Sequence, residues 1–274
     1  MSKTFKAALI QNCPDNDMAA TVARAEALTR DAASQGANLA VLPEFFSYYH
    51  IDEEGIHTHP VAQDEHPALI AFKALAKELK LWTVLGSITV PAPDGRAFNR
   101  QIVLDDQGEI LDTYDKIHLF DVDLSSDDRY RESASLHPGS KAVVTETPWG
   151  NLGLSICYDV RFPHLYRDLA KAGADFLTAP AAFMHRTGKA HWHILQRARA
   201  IESGCFMLAT CQAGWHGKAQ TYGHSLIVNP WGEILAEGPE EDEAVVIAEI
   251  DPSEVESARS KIPALKHDRP YPAI

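Results

Sequence analysis

The chain reads as an α/β protein, and three observations lead there. Short apolar runs with strand character alternate with longer segments of helical periodicity along most of the 274 residues. Two tight-turn signatures, D-D-Q-G at 105–108 and N-P-W-G at 229–232, interrupt that alternation. Neither a repeat nor a low-complexity linker divides the chain. Crossovers mixed with hairpins predict a mixed sheet, or two packed sheets with helices outside them.

The elements follow in order. Phe5 to Gln11 is an apolar run ended by a polar residue, a first strand and not a leader peptide. A helix is expected over 18–35, with Asp15 to Asp17 supplying cap candidates and Gly36 a stop. Residues 39–42 form the next strand, cut by Pro43. From Pro67, Leu69, Phe72, Leu75, Ala76 and Leu79 share one helical face, and a strand is expected at 81–85. A hairpin is expected to join 101–104 to 110–114. Beyond it come a strand at 152–156, a helix at 163–172, a strand at 176–179 and a helix beginning at Trp192 and stopped by Gly204. A strand at 205–210, a hairpin joining 222–228 to 234–236 and a strand at 245–249 complete the sheet. The segment 213–221, with Gly214 and Gly217, reads as a flexible loop at the pocket. Residues 1–274 are read as one domain, with the proline-rich 261–274 as an extended arm, either a mobile tail or a strap across a partner subunit.

Composition narrows the partners. Thirty-eight acidic against 25 basic side chains leave a net charge of −13, which argues against nucleic acid or an anionic membrane as a partner. No apolar run approaches the ~18 residues of a membrane helix. Four scattered cysteines without C-x-x-C spacing argue against disulfides or a zinc cluster and fit a reducing, cytoplasmic setting.

Three strands end on chemistry. Cys157 sits where the run 152–156 stops and Pro163 then opens a helix. Backbone N–H groups at such an elbow stabilise negative charge, one setting that turns a thiol into a thiolate. A buried inert cysteine is the commoner fate of this residue type, and Cys205 and Cys211 are expected to be examples. The polar Y-D-V-R after Cys157 sets it apart. Glu44 ends the run N-L-A-V-L-P beside two phenylalanines, where desolvation should push its carboxyl towards a general-base range. A strand-end glutamate that merely reaches water looks the same. Lys116, in D-T-Y-D-K-I-H-L-F, is either a half-buried cation or a lysine that blunts a sheet edge. Together the three supply a base, a cation and a nucleophile at strand ends, where open α/β sheets gather their sites.

The motifs L-P-E-F-F, Y-D-K-I-H-L-F-D and G-L-S-I-C-Y-D-V-R-F-P, in that order, resemble the nitrilase superfamily of carbon–nitrogen hydrolases. A-H-W-H-I-L-Q-R-A-R-A-I-E and Y-G-H-S-L-I-V-N-P-W-G extend the likeness over essentially the whole chain. The resemblance implies a four-layer α-β-β-α sandwich, a homodimer and a Glu44-Lys116-Cys157 triad working without a cofactor. It also implies a supporting role for Glu132 in R-Y-R-E-S, whose polar surroundings otherwise read as solvated surface. Arg161, four residues past the cysteine, and Tyr158, next to it, are candidate substrate-binding residues. Arg161 is open to a rival reading as an ion pair with Asp159 or Glu202. The implied activity is hydrolysis of a linear amide of a small carboxylated, keto-acid-like substrate. Q-A-G followed by T-Y-G-H-S is closer to the deaminated-glutathione type than to ω-amidases. The alternatives are an ω-amidase, another amidase, carbamoylase or nitrilase branch, or a catalytically silent scaffold. The pairs His57/His59 and His191/His193 lack the accompanying ligand pattern of a zinc site. A Cys-His hydrolase with His118 or His224 as base has no supporting signature around Cys157.

Overall fold

The computed structural model describes residues 4–53, 55–124 and 129–272. Two six-stranded mixed sheets carry the fold. The first runs Ala244–Ile250, Phe5–Gln11, Leu39–Val41, Trp82–Pro91, Ala97–Leu104, Ile110–Asp115; the second runs Val144–Thr147, Gly150–Gly153, Phe176–Thr178, Phe206–Ala209, Leu226–Val228, Ile234–Glu237. Each has three parallel strands flanked by antiparallel ones.

Period-two alternation sorts the side chains into layers. Along Phe5–Gln11, Phe5, Ala7 and Leu9 enter the core between the sheets, while Ala8 and Ile10 turn outwards. That outer face is covered by helices α1 (Met18–Ser34) and α2 (Pro67–Leu79). Helices α3 (Pro163–Lys171) and α4 (His185–Ser203) cover the second sheet, and α5 (Ser253–Lys261) follows the last strand. The result is the expected α-β-β-α sandwich. Asp17 caps α1 by accepting from the Ala20 N–H, as its position before the helix requires.

Several boundaries differ from the sequence reading. The strand expected over 152–156 ends at Gly153. Beyond it the Leu154 N–H donates to the Val143 carbonyl, and the Ser155 and Ile156 N–H groups donate to the Thr178 hydroxyl and the Asp159 carboxylate. Side chains replace the ladder there. Helix α4 begins at His185, not at Trp192. Gly188 weakens the helical signal, yet the position needs it, because a Cβ there would lie 2.3 Å from the Tyr222 ring. The 213–221 segment is no loop: Ala213–His216 pairs with Ala219–Tyr222 as a separate ribbon. Tyr222 therefore leaves the expected hairpin, which starts at Leu226 after two left-handed residues, Gly223 and His224. The arm is only partly extended. Lys261 still belongs to α5, a turn forms at Ala264–Lys266, and Asp268 pairs with Arg167 and Lys171 of α3. Residues 273–274 lie outside the described residues.

Gly86 is packed against both the neighbouring strand exit and the second sheet. A Cβ there would lie 1.8 Å from the Leu42 carbonyl oxygen and 2.6 Å from Pro180 Cβ. This contact sets the segments leading to Glu44 and following Thr178 side by side. Overpacking of this kind costs about 1–3 kcal/mol. Gly86→Ala should lower the thermal midpoint accordingly and cut amide hydrolysis. An unchanged midpoint in a calorimetric melt would show that this approach is not constrained.

Candidate active site

Three strand ends on one side of the sandwich deliver the side chains. Glu44 follows Leu39–Val41, Lys116 follows Ile110–Asp115, and Cys157 opens a turn at Cys157–Arg161 beyond Gly150–Gly153. The Cys157 N–H donates to the Pro180 carbonyl at 2.9 Å, and the residue sits in the left-handed region at φ 47°. A non-glycine residue there is strained, and the surrounding bonds hold it. Phe45, next to Glu44, is also left-handed at φ 52°, its N–H bonded to the Ser87 hydroxyl.

Lys116 Nζ donates to Glu44 Oε1 at 2.8 Å and to both Glu132 oxygens at 2.9 and 2.8 Å. All three side chains are buried, Lys116 to 1% exposure. The Asn99 amide donates to Glu44 Oε1 and the Ala182 N–H to Oε2, each at 2.8 Å. Cys157 opens onto the same cavity as Glu44 and Glu132. Glu44 and Cys157 line one cleft, and Lys116 lies behind it, bonded to Glu44 and Glu132. Glu132, in a loop read as polar surface, is drawn inside by Lys116 and by the Phe120 N–H, which donates to its Oε2 at 2.7 Å.

Asp159 has no place among the sequence candidates except as a partner for Arg161, yet it ties the site together. It is fully buried and accepts from the Tyr114 hydroxyl at 2.6 Å, the His118 N–H at 3.0 Å and the Ile156 N–H at 2.9 Å. Residues on both sides of Lys116 are thereby fastened to the cysteine turn. Asn99 and the Ala182 N–H also escape sequence reasoning, since neither carries a motif. His118 is held by Asp159 at 2.7 Å and stacks on Phe162, and His224 bonds Glu237. Neither lines the cleft.

The cleft opens beside these groups. Glu44, Glu132 and Cys157 form its floor, and Tyr49, Phe120, Tyr130, Tyr158, Phe183 and Met184 are among its walls. Tyr158 thus faces the space where a substrate would lie. Arg161 does not line the cleft and pairs with neither Asp159 nor Glu202. Its guanidinium lies over the Tyr158 and Phe183 rings, 5.8 and 5.3 Å from their centroids, with Nη1 3.2 Å from His191 Nδ1. Glu202 is taken by Arg199 at 2.6 Å.

The electrostatics run against a preformed thiolate. Burial pushes the Cys157 thiol well above its ordinary range, the Glu44 carboxylate adds to the rise, and Lys116 offsets only part of it. Burial would neutralise Lys116, but Glu132 and Glu44 outweigh that and hold the ammonium well above the lysine range. Burial also raises the Glu132 carboxyl, opposed by Lys116 and reinforced by Glu44. With one cation against two carboxylates, a thiolate would be a third anion in one dry space.

Substitutions that change this balance should move the thiol in opposite directions. Glu132→Gln removes a negative neighbour and should lower the Cys157 titration; Lys116→Gln should raise it further. Ultraviolet thiolate absorbance, taken as the difference between each variant and its Cys157→Ser counterpart, reads both. Shifts of the opposite sign would contradict the assignment.

The carbon–nitrogen hydrolase family matches residues 6–260. The deaminated glutathione amidase of Synechocystis sp. is 39% identical over 97% of this chain and 98% of its own length. The human deaminated glutathione amidase is 40% identical over 89% of this chain and 76% of its own. Among solved structures, Saccharomyces cerevisiae Nit3, a member of branch 10 of the nitrilase superfamily, superposes with a TM-score of 0.83. It is 31% identical, with 97% of each chain covered. With its two facing sheets and their shared cleft, the chain belongs to the carbon–nitrogen hydrolase family and is a hydrolase of amide type.

Proposed function

We propose that Cys157 is the nucleophile, Glu44 the general acid–base and Lys116 the electrostatic stabiliser of an amidase acting on small carboxylated amides, with deaminated glutathione as the preferred substrate. The observation that carries the catalytic reading is the buried Lys116 bridge between Glu44 and Glu132, two carboxylates that line one cleft with Cys157.

Glu44 takes the thiol proton as sulfur adds to the amide carbonyl, so no free thiolate accumulates. Moving the proton from sulfur to Glu44 leaves the charge of the group unchanged, which suits a site that resists a further anion. The new oxyanion is met by the Lys116 ammonium and by the N–H of Tyr158, which, as second residue of its turn, has no intrahelical acceptor. Such donors contribute ~3 kcal/mol in comparable sites. Collapse breaks the C–N bond, protonated Glu44 gives its proton to the leaving nitrogen, and a thioester remains. Glu44 then takes a proton from water as the oxygen adds. The second collapse forms the acid product and returns the proton to sulfur. Glu132 positions Lys116 throughout.

The substrate class rests on the names of the relatives and on the surroundings of the cleft. Beside it, a wider hollow shares Ile56, Tyr130 and Met184 and carries Arg129 and Arg131, which pair with Asp123, and Lys218, which pairs with Glu53; a carboxylated tail would compete for these cations. Arg161 acts indirectly, by holding the Tyr158 and Phe183 rings. A cytoplasmic location is supported by four free thiols. A homodimer is supported by the exposed Ile194 and Ile201, seven residues apart on α4, with Gly232 against Ile201.

Purified chain should release amine from deaminated glutathione with higher kcat/KM than ammonia from α-ketoglutaramate. Cys157→Ala should abolish both. Glu44→Gln should lower kcat by about 10²–10⁴, and Lys116→Gln by about 10²–10³. Turnover that survives Cys157→Ala would overturn the mechanism; preference for α-ketoglutaramate would move the substrate to the ω-amidase type. For assembly, sedimentation should give a dimer that Ile201→Lys dissociates, and a monomeric parent chain would refute it.

A further inference from the structure

Away from the cleft, two imidazoles converge on one carboxylate oxygen. His193 Nε2, on α4, lies 3.0 Å from Glu237 Oε1, and His224 Nδ1 lies 2.6 Å from the same atom. One ligand-capable atom from each of the three residues lies within 4.8 Å of the other two. We propose that His193, His224 and Glu237 bind a divalent transition-metal ion of the zinc type, a role separate from amide hydrolysis.

The site is built before any ion enters. His224 is held in the left-handed region at φ 50°, with its N–H bonded to the Pro239 carbonyl and its own carbonyl accepting from the fully buried Trp192 indole at 2.8 Å. The Tyr222 ring packs against both imidazoles, 5.9 Å from His193 and 4.6 Å from His224. Each ring turns a nitrogen towards Glu237, where an ion would replace the two protons now shared with that oxygen. Two nitrogens and one oxygen match zinc's preferences, with water completing a tetrahedron. Bonds of about 2.0–2.2 Å set tetrahedral ligand atoms roughly 3.3 Å apart. The two contacts must therefore open by several tenths of an ångström, which the partly exposed Glu237 side chain does by rotating. Beyond His224, Glu240 Oε2 lies 3.9 Å from Nε2. That carboxylate is held through its other oxygen by His185 Nε2 at 2.8 Å.

The full chain carrying Cys157→Ala, which removes the cleft thiol as a competing ligand, is titrated calorimetrically with Zn²⁺ alone. One equivalent per chain is expected, weakened at least tenfold by Glu237→Gln and by His224→Asn. Asparagine tolerates the left-handed backbone, so the second change spares the fold. Absence of stoichiometric uptake, or uptake untouched by both substitutions, overturns the proposal. A readout without site variants is Co²⁺ added to the same parent chain: the ring protons of His193 and His224 should broaden first in the NMR spectrum. Broadening confined to other histidines refutes the site.

Discussion

A single buried ammonium holds the candidate site together. Lys116 stands between Glu44 and Glu132, and its two ion pairs lie where water is excluded. Removing one partner from such a group leaves an uncompensated buried charge, at a cost of about 3–5 kcal/mol. The bridge is therefore structural as well as chemical. It draws the Glu132 loop inside, and it orients the Glu44 carboxylate that lines the cleft with Cys157.

The scaffold serves this arrangement through a few long-range contacts. Gly86 permits the close approach of the two sheets, Asp159 clasps the segments around Lys116 to the cysteine turn, and the Ala182 N–H fixes one oxygen of Glu44. Cys157 is held in a strained backbone conformation by the Pro180 carbonyl and by the bond from the Ile156 N–H to Asp159. These contacts set the positions of the reacting groups on rigid strand ends, where small displacements weigh heavily on rate.

The electrostatic consequence is a candidate nucleophile whose thiol is held well above its ordinary range. A strand-to-helix elbow favours a thiolate when it opens towards water or cations, but here the nearest charges are predominantly negative and the sulfur is buried. In the proposed reaction the proton therefore leaves as the carbonyl carbon accepts electrons. The buried Cys205 and Cys211 have thiols pushed up to about 12 by the same desolvation, without a base to take their proton. Burial alone thus does not distinguish a reactive cysteine; the adjacent carboxylate does.

Much of this was legible in the chain. The alternation of Phe5, Ala7 and Leu9 against Ala8 and Ile10 follows from the two-residue period of a strand, so the layered α/β architecture can be read locally. Glu44, Lys116 and Cys157 announced themselves because charged or reactive residues close apolar runs, and the motifs around them are specific. Helix α5, the ribbon at 213–222 and the first turns of α4, from His185 through Gly188, escaped because their local signals are weak or contradictory. Residue types and strand periodicity determined the layers and nominated the three side chains. Only the tertiary structure decided that Lys116 meets Glu44 across 72 residues, that Glu132 is buried and that burial and Glu44 push the Cys157 thiol up. Those outcomes depend on which distant groups share a space without water, and no local pattern encodes that.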